Sequence, residues 1–422
     1  MKIKKIIISM FFIIINNLSY SNLNIENLLQ NTKIYSALVA DSYQILYPKE
    51  IFESKETISN TEEKAIKKEN NFSDEIKSFK IEDNKSQSYQ KNPRVKVKGI
   101  YVTAKTLALE KRLDELLKLS KENGINAFVI DVKGDFGEIT FPVSKEIEKY
   151  SKYANKKVDI KNIKAIMKKL KDNNIYTIAR IVSFKDPTYA KENPDKIITY
   201  KSNGKPFLNK DGLTWVSPYD ENLWEYNVFI AKEAAKVGFN EIQFDYVRFP
   251  ASNGGKLDAI LDYKNPNKKT KVETIQAYLA YAKKELEGYD VYLGADVYGQ
   301  IAAVEDDMGL GQNWEAISAE VDYISPMIYP SHYSKGVYGL SIPDAKPYET
   351  VYYATKDSID RNSNMKKHAI IRPWIQAFTA KWIKGHIKYG PKEVKEQIKA
   401  MNDLGIDEYI LWNPANRYEK YF

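Results

Sequence analysis

At 422 residues and 43% hydrophobic content the chain can bury a large domain with additions, and its lack of cysteine excludes a disulfide framework and thiol chemistry. Lys+Arg total 64 against 56 Asp+Glu, a net charge of +8, but the lysines are interspersed with glutamates and no Arg-rich block tracks a phosphate backbone. Nucleic acid is therefore not an expected partner. The 31 tyrosines and six tryptophans can serve a core, but near strand ends they also make stacking platforms.

Residues 1–21 carry a targeting signal. Lys2, Lys4 and Lys5 form a basic start, Ile6 to Ile15 an apolar run, and Ser19 and Ser21 supply small residues near a cleavage point. The run is too short for a typical spanning helix, so it reads as a secretory signal peptide, or as an N-terminal anchor if it stays uncleaved. A secreted or cell-envelope location follows, with any membrane attachment confined to this segment. Residues 22–94 are rich in Asn, Lys, Glu and Ser and almost free of glycine, a composition that predicts a largely disordered spacer.

The pattern changes at Pro93. Strand-like runs over 97–103, 126–132, 175–182, 241–246, 290–297, 323–329, 369–376 and 408–413 alternate with helical patterns. The helical patterns lie near 107–122, 159–172, 221–237, 271–287, 312–319, 347–361 and 391–403, several ending at glycines such as Gly124, Gly238 and Gly405. Eight strands alternating with helices over residues 95–422 predict an α/β fold, a (β/α)8 TIM barrel. A doubly wound open sheet is the competing architecture, but no Gly-rich phosphate loop follows the first strand. The long interruption Asp186–Pro218 carries two Gly turns and predicts a hairpin-like excursion above the barrel.

Alternation along each strand then sorts side chains by face. One face is apolar; the other turns polar toward the strand's C-terminal end. The polar set is Asp131, Arg180, Asp245, Asp296, Tyr329, Trp374 and Gln376. In a barrel this set surrounds the mouth where active sites form. The densest stretch is Glu241-Ile-Gln-Phe-Asp-Tyr-Val-Arg-Phe-Pro250, in which Asp245 needs a cation, a hydrogen-bond network or a wet cleft. A structural Asp245–Arg248 ion pair closing the loop is the plain alternative to catalysis.

Three widely spaced histidines make a zinc site improbable, no compact acidic loop suggests a hard cation, and no Ser/His/Asp arrangement is visible. No metal or cofactor is expected. Paired carboxylates walled by aromatics suit glycoside hydrolysis, one protonating the leaving oxygen while the other attacks or activates water. Asp245 and Asp296 end consecutive strands, and neighbouring strands lie roughly 5 Å apart, nearer the spacing of retaining than of inverting enzymes. Arg180 and Arg248 are expected to hold a carboxylate ionised and to face substrate beside Gln376, with Asp131 a partner of a substrate hydroxyl or of an arginine. Tyr329, Trp374 and Trp412 are the stacking candidates, with buried core as the alternative for each.

Gly99-Ile-Tyr-Val-Thr103, Phe128-Val-Ile-Asp-Val-Lys133, Phe244-Asp-Tyr-Val-Arg-Phe-Pro250, Gly294-Ala-Asp-Val-Tyr-Gly299, Tyr323-Ile-Ser-Pro-Met-Ile-Tyr-Pro330 and Trp412-Asn-Pro414 together resemble the glycoside hydrolase domain family catalogued as DUF4015. The resemblance spans about residues 95–416. It implies a TIM barrel directed at a polysaccharide, with Asp245 at the position of a strand-four catalytic acid (nucleophile or base) and Asp296 as its strand-five general acid/base partner. A non-catalytic glycan-binding barrel tethered at the envelope is the alternative from another class.

Overall fold

The computed structural model describes residues 92–251 and 256–422; the expected signal peptide or anchor (1–21) and nearly all of the expected spacer (22–94) lie outside the described residues. The barrel strands are β1 (Lys98–Val102), β2 (Ala127–Lys133), β3 (Tyr176–Val182), β4 (Glu241–Asp245), β5 (Tyr292–Tyr298) and β6 (Tyr323–Ile328). They are followed by β7, in two pieces (Ile370–Ile371 and Trp374–Gln376), and β8 (Tyr409–Trp412). All pair in parallel with their sequence neighbours, and β8 returns to β1 through Lys98↔Tyr409, which closes the cylinder. The fold is therefore a closed (β/α)8 barrel.

The principal helices are α1 (Glu110–Asn123), α2 (Ile163–Asp172), α3 (Glu221–Lys236), α4 (Lys271–Glu285), α5 (Trp314–Ser318), α6 (Pro347–Ser363) and α7 (Pro391–Asn402). Their starts are chemically specified: Asn162 and Asn313 cap α2 and α5, and Thr270 with Glu273 forms a reciprocal capping box on α4. Gly124 ends α1 in the left-handed region at φ 67°, where a Cβ would be penalised.

The two faces of the strands build two cores. Ile100, Phe128, Ile130, Ala179, Ile181, Ile242, Phe244 and Ile324 point outward and join the helix side chains in the larger cluster. Tyr101, Val129, Tyr176, Ile178, Trp374 and Ile410 point inward and form the smaller one. The predicted alternation holds, and it delivers Asp131, Arg180, Asp245 and Asp296 to the interior side of the strand ends. The predicted seventh strand is continuous, whereas the observed one breaks at Arg372-Pro373, because Pro373 has no N–H for the ladder. The excursion after β3 forms as short antiparallel pairings, Leu208↔Thr214 and Ile197↔Val216, and its Thr199–Tyr200 strand pairs with Leu261–Asp262.

The lower barrel interior is unusually polar. Arg372 donates to Glu241, both fully buried, and its guanidinium lies 3.8 Å from the Tyr323 ring centroid. Tyr176 donates to the second Glu241 oxygen at 3.1 Å, and Gln243 donates to Ser325 at 3.2 Å. Removing one partner of such a pair leaves an uncompensated buried charge. Glu241→Gln is expected to lower unfolding free energy by about 3–5 kcal/mol, read as a shifted urea midpoint. The exposed Lys96–Asp407 pair provides the contrast, and Asp407→Asn should change stability by less than about 1 kcal/mol.

Candidate active site

A cavity of about 670 Å³ opens above the C-terminal ends of the strands. Of the residues singled out from the sequence, Arg180, Asp245, Arg248, Asp296, Tyr329, Trp374 and Trp412 line it. Asp131 and Gln376 do not.

Arg180, at 3% exposure, organises the floor. Its Nε and Nη2 donate to Asp245 Oδ2 at 2.9 and 2.6 Å, and its Nη1 donates to Asp131 Oδ1 at 2.6 Å. Burial opposes its charge, but Asp245, Asp131 and Asp135 more than offset this and hold the guanidinium firmly protonated. Tyr101 donates to the other Asp131 oxygen, so that carboxylate is consumed as a buttress for Arg180 and does not face the cavity. Asp135 sits 3.2 Å from Lys185 and 3.5 Å from Arg180; burial works against its charge, yet the two cations outweigh it and hold the carboxyl below the usual range.

Asp245 and Asp296 stand side by side. The β4–β5 register runs through Gln243↔Gly294 and Phe244↔Ala295, so the next step sets these two residues opposite one another. Their environments differ. Asp245 accepts from Arg180 on Oδ2 and from the Tyr246 backbone N–H on Oδ1 at 2.6 Å. Asp296 has only the Trp374 indole N–H, 2.6 Å from its Oδ1, and no salt bridge among the described residues. Burial, reinforced by the Asp245 charge, pushes Asp296 well above the usual carboxylate range, while the indole hydrogen bond pulls the other way. Burial and both aspartates also raise the Tyr329 phenol far above its ordinary value, so it remains a neutral donor.

Two devices fix this pair. The buried Gln312 amide donates to Asp296 O at 3.2 Å and Val247 O at 3.4 Å and accepts from Tyr298 N–H at 2.9 Å, tying the tops of β4 and β5 together. Gly299 permits the tight exit from β5, since a Cβ there would lie 2.3 Å from Met327 O. Sequence reasoning missed Gln312 because a lone glutamine in a loop carries no periodic signal. Lys185 was missed too; its salt bridge to Asp135 closes only when the loops after β2 and β3 meet.

Two expectations need correction. Gln376 is fully buried, accepts from Ser331 N–H and donates to Asp344 and Phe378 O, so its amide is saturated by the protein. Arg248 makes no salt bridge with Asp245; it donates to Phe249 O at 3.0 Å and lies 5.0 Å from the Trp215 ring centroid. Of the aromatic candidates, Trp374 takes the buried alternative at 1% exposure and donates to Asp296, while Trp412 stacks on Tyr101 at 4.2 Å and still lines the cavity. His332 forms part of the wall, and burial together with Lys210 lowers its pKa. Among the described residues no three Asp, Glu or His side chains converge as a cation site.

The closed parallel barrel defines the fold class of the chain. The chain belongs to the family described as "Putative glycosyl hydrolase domain" (DUF4015), whose model matches residues 99–418. A hypothetical protein from Ruminiclostridium thermocellum is 35% identical, covering 47% of this chain and 97% of its own, with a TM-score of 0.41. The PgaB (BpsB) glycoside hydrolase domain of Bordetella bronchiseptica is 15% identical over 76% of this chain and 95% of its own, with a TM-score of 0.54, a likeness of fold. An endo-1,4-β-D-mannanase from Thermotoga petrophila is 13% identical over 78% and 92%, with a TM-score of 0.47. A search of curated proteins gives no match.

The carboxyl asymmetry can be measured by carbon NMR on aspartate-labelled protein. Asp245→Asn is expected to lower the Asp296 midpoint by removing the neighbouring charge, and Trp374→Phe to raise it by removing the hydrogen bond. Because Asp296 binds its proton more tightly folded than unfolded, its stabilising contribution is present below the ordinary Asp pKa. It is lost as pH rises through the folded midpoint. Asp296→Asn should therefore flatten the fall in Tm toward alkaline pH.

Proposed function

We propose that the chain is a glycosidase acting on a cell-wall or extracellular polysaccharide, with Asp296 as general acid/base and Asp245 as nucleophile. One observation carries the reading: two adjacent carboxyls line one cavity, one charge-paired with Arg180 and the other raised by burial beside it. Two neighbouring titratable groups with opposed environments are what acid/base assignment requires. The family membership and the glycoside hydrolase neighbour support the reaction class.

In the first step an Asp245 oxygen forms a bond to the anomeric carbon as the glycosidic C–O bond breaks. The Asp296 proton passes to the departing oxygen. In the second step water attacks the anomeric carbon, its proton returns to Asp296, and the bond to Asp245 breaks. Adjacent strands leave roughly 5 Å between their ends, close to the ~5–5.5 Å carboxyl separation of retaining enzymes. Trp412 and Tyr329 present ring surface to the same cavity.

Reducing-end release from peptidoglycan fragments and a panel of α- and β-linked polysaccharides tests this. Asp245→Asn and Asp296→Asn should each lower kcat by about 10²–10⁴-fold with the fold intact, and Asp296→Asn should abolish the alkaline limb of the pH profile. NMR of the first product is expected to show retained anomeric configuration. Binding of glycan without turnover, unchanged in both variants, would instead identify a binding barrel.

Export is proposed on the basic-then-apolar start from Lys2 to Ile15. N-terminal sequencing of the extracytoplasmic fraction is expected to give either a new terminus near Ser21 or an intact anchor. Recovery solely from the cytoplasm would overturn export.

A further inference from the structure

The cations around the cavity differ in one respect. Arg180 is bound to Asp245 and Asp131, and Lys185 lies 3.2 Å from Asp135. Arg248 has no carboxylate within salt-bridge distance among the described residues, although it lines the cavity and is half-buried. Its one hydrogen bond among them, from Nη1 to Phe249 O, leaves most of its five N–H donors unassigned. The Trp215 and Tyr246 rings, with centroids 5.0 and 5.2 Å away, hold the guanidinium in place.

A desolvated guanidinium without an anion is costly unless a ligand completes it. Burial disfavours the Arg248 charge, and Tyr246, Asp245 and Tyr298 offset this only in part. Lys210, exposed on the same wall, likewise has no acidic partner among the described residues. Of the lining carboxylates, Asp135 and Asp245 are engaged by cations and Asp296 is held toward its neutral form. Asp211 alone offsets this excess, from an exposed turn where it accepts from Asn209.

We propose that this site takes an acidic glycan, with Arg248 receiving the carboxylate of a sugar unit through its free N–H edge and Lys210 adding attraction at the rim. The inference rests on the glycosidase reading and narrows its substrate class. A planar fork matches a carboxylate in two parallel hydrogen bonds, which a hydroxyl cannot reproduce.

Ligand-observed NMR titration of the full chain tests it with matched pairs: glucuronate against glucose, and N-acetylmuramate against N-acetylglucosamine, with acetate as the anion control. Each acidic sugar is expected to bind at least about tenfold tighter than its neutral parent and than acetate, a preference reduced to about twofold or less in R248Q. R248K, which keeps the charge and loses the fork, should retain part of it, and circular dichroism checks both folds. Equal affinities, no binding of any sugar, acetate matching the acidic sugars, or a preference surviving in R248Q would each overturn the inference. The two readings fail separately. Turnover of a neutral glycan, abolished by D245N and D296N, without any acid preference would sink only the carboxylate assignment. An intact Arg248-dependent preference without turnover of any glycan would sink only the glycosidase.

Discussion

The site depends on one guanidinium. Arg180 rises from β3 between the ends of β2 and β4 and donates to a carboxylate on each side, Asp131 and Asp245. A charge this deeply buried is tolerable only when paired and hydrogen-bonded. The pairing therefore fixes three strand ends relative to one another. Tyr101 on β1 extends the chain by donating to Asp131, so four consecutive strands contribute to one continuous polar network. Removing any member leaves a buried charge exposed to its neighbours' field, which ties the geometry of the floor to the stability of the barrel.

The same network separates two chemically identical side chains. Asp245 and Asp296 occupy the same height on neighbouring strands, and both are nearly inaccessible. Asp245 receives the cation. Asp296 receives a neutral indole donor and the repulsion of Asp245. Two neighbouring carboxyls cannot both ionise cheaply in a desolvated site, and burial together with the Asp245 charge favours the proton on Asp296. Trp374 moderates the outcome, because its N–H favours the ionised form. Gln312 preserves the relation by bridging the backbone of the two strand ends, so the asymmetry is built into the frame.

Much of this is legible in the amino-acid sequence. Two-residue alternation sorted Asp131, Arg180, Asp245 and Asp296 to one face because a buried strand has little freedom to hide a charge elsewhere. The failures came where parity stops constraining side chains. Gln376 has the right parity, but it follows the Pro373 break and turns to Ser331 and Asp344, partners supplied by a loop with no sequence signature. Arg248 lies three residues beyond Asp245, and proximity along the chain suggested an ion pair. The chain turns at Tyr246, which sends the guanidinium to Trp215 on the excursion instead. Gln312 and Lys185 act through contacts that only loop closure creates.

The turn at Tyr246 explains why this strand end is built as it is. Tyr246 adopts φ 49°, a left-handed conformation that costs an L-residue about 1–2 kcal/mol. In that conformation its N–H reaches back to Asp245 Oδ1, while both Arg180 donors occupy Oδ2. One carboxylate oxygen is thus held by a cation and the other by a single backbone donor, which leaves Oδ1 the less encumbered of the two. The ring of Tyr246 offsets the strain by lying 3.7 Å from the Lys185 ammonium, itself anchored to Asp135. A glycine would relieve the backbone and lose that anchor, so strain, cation and ring form one device for orienting the carboxylate.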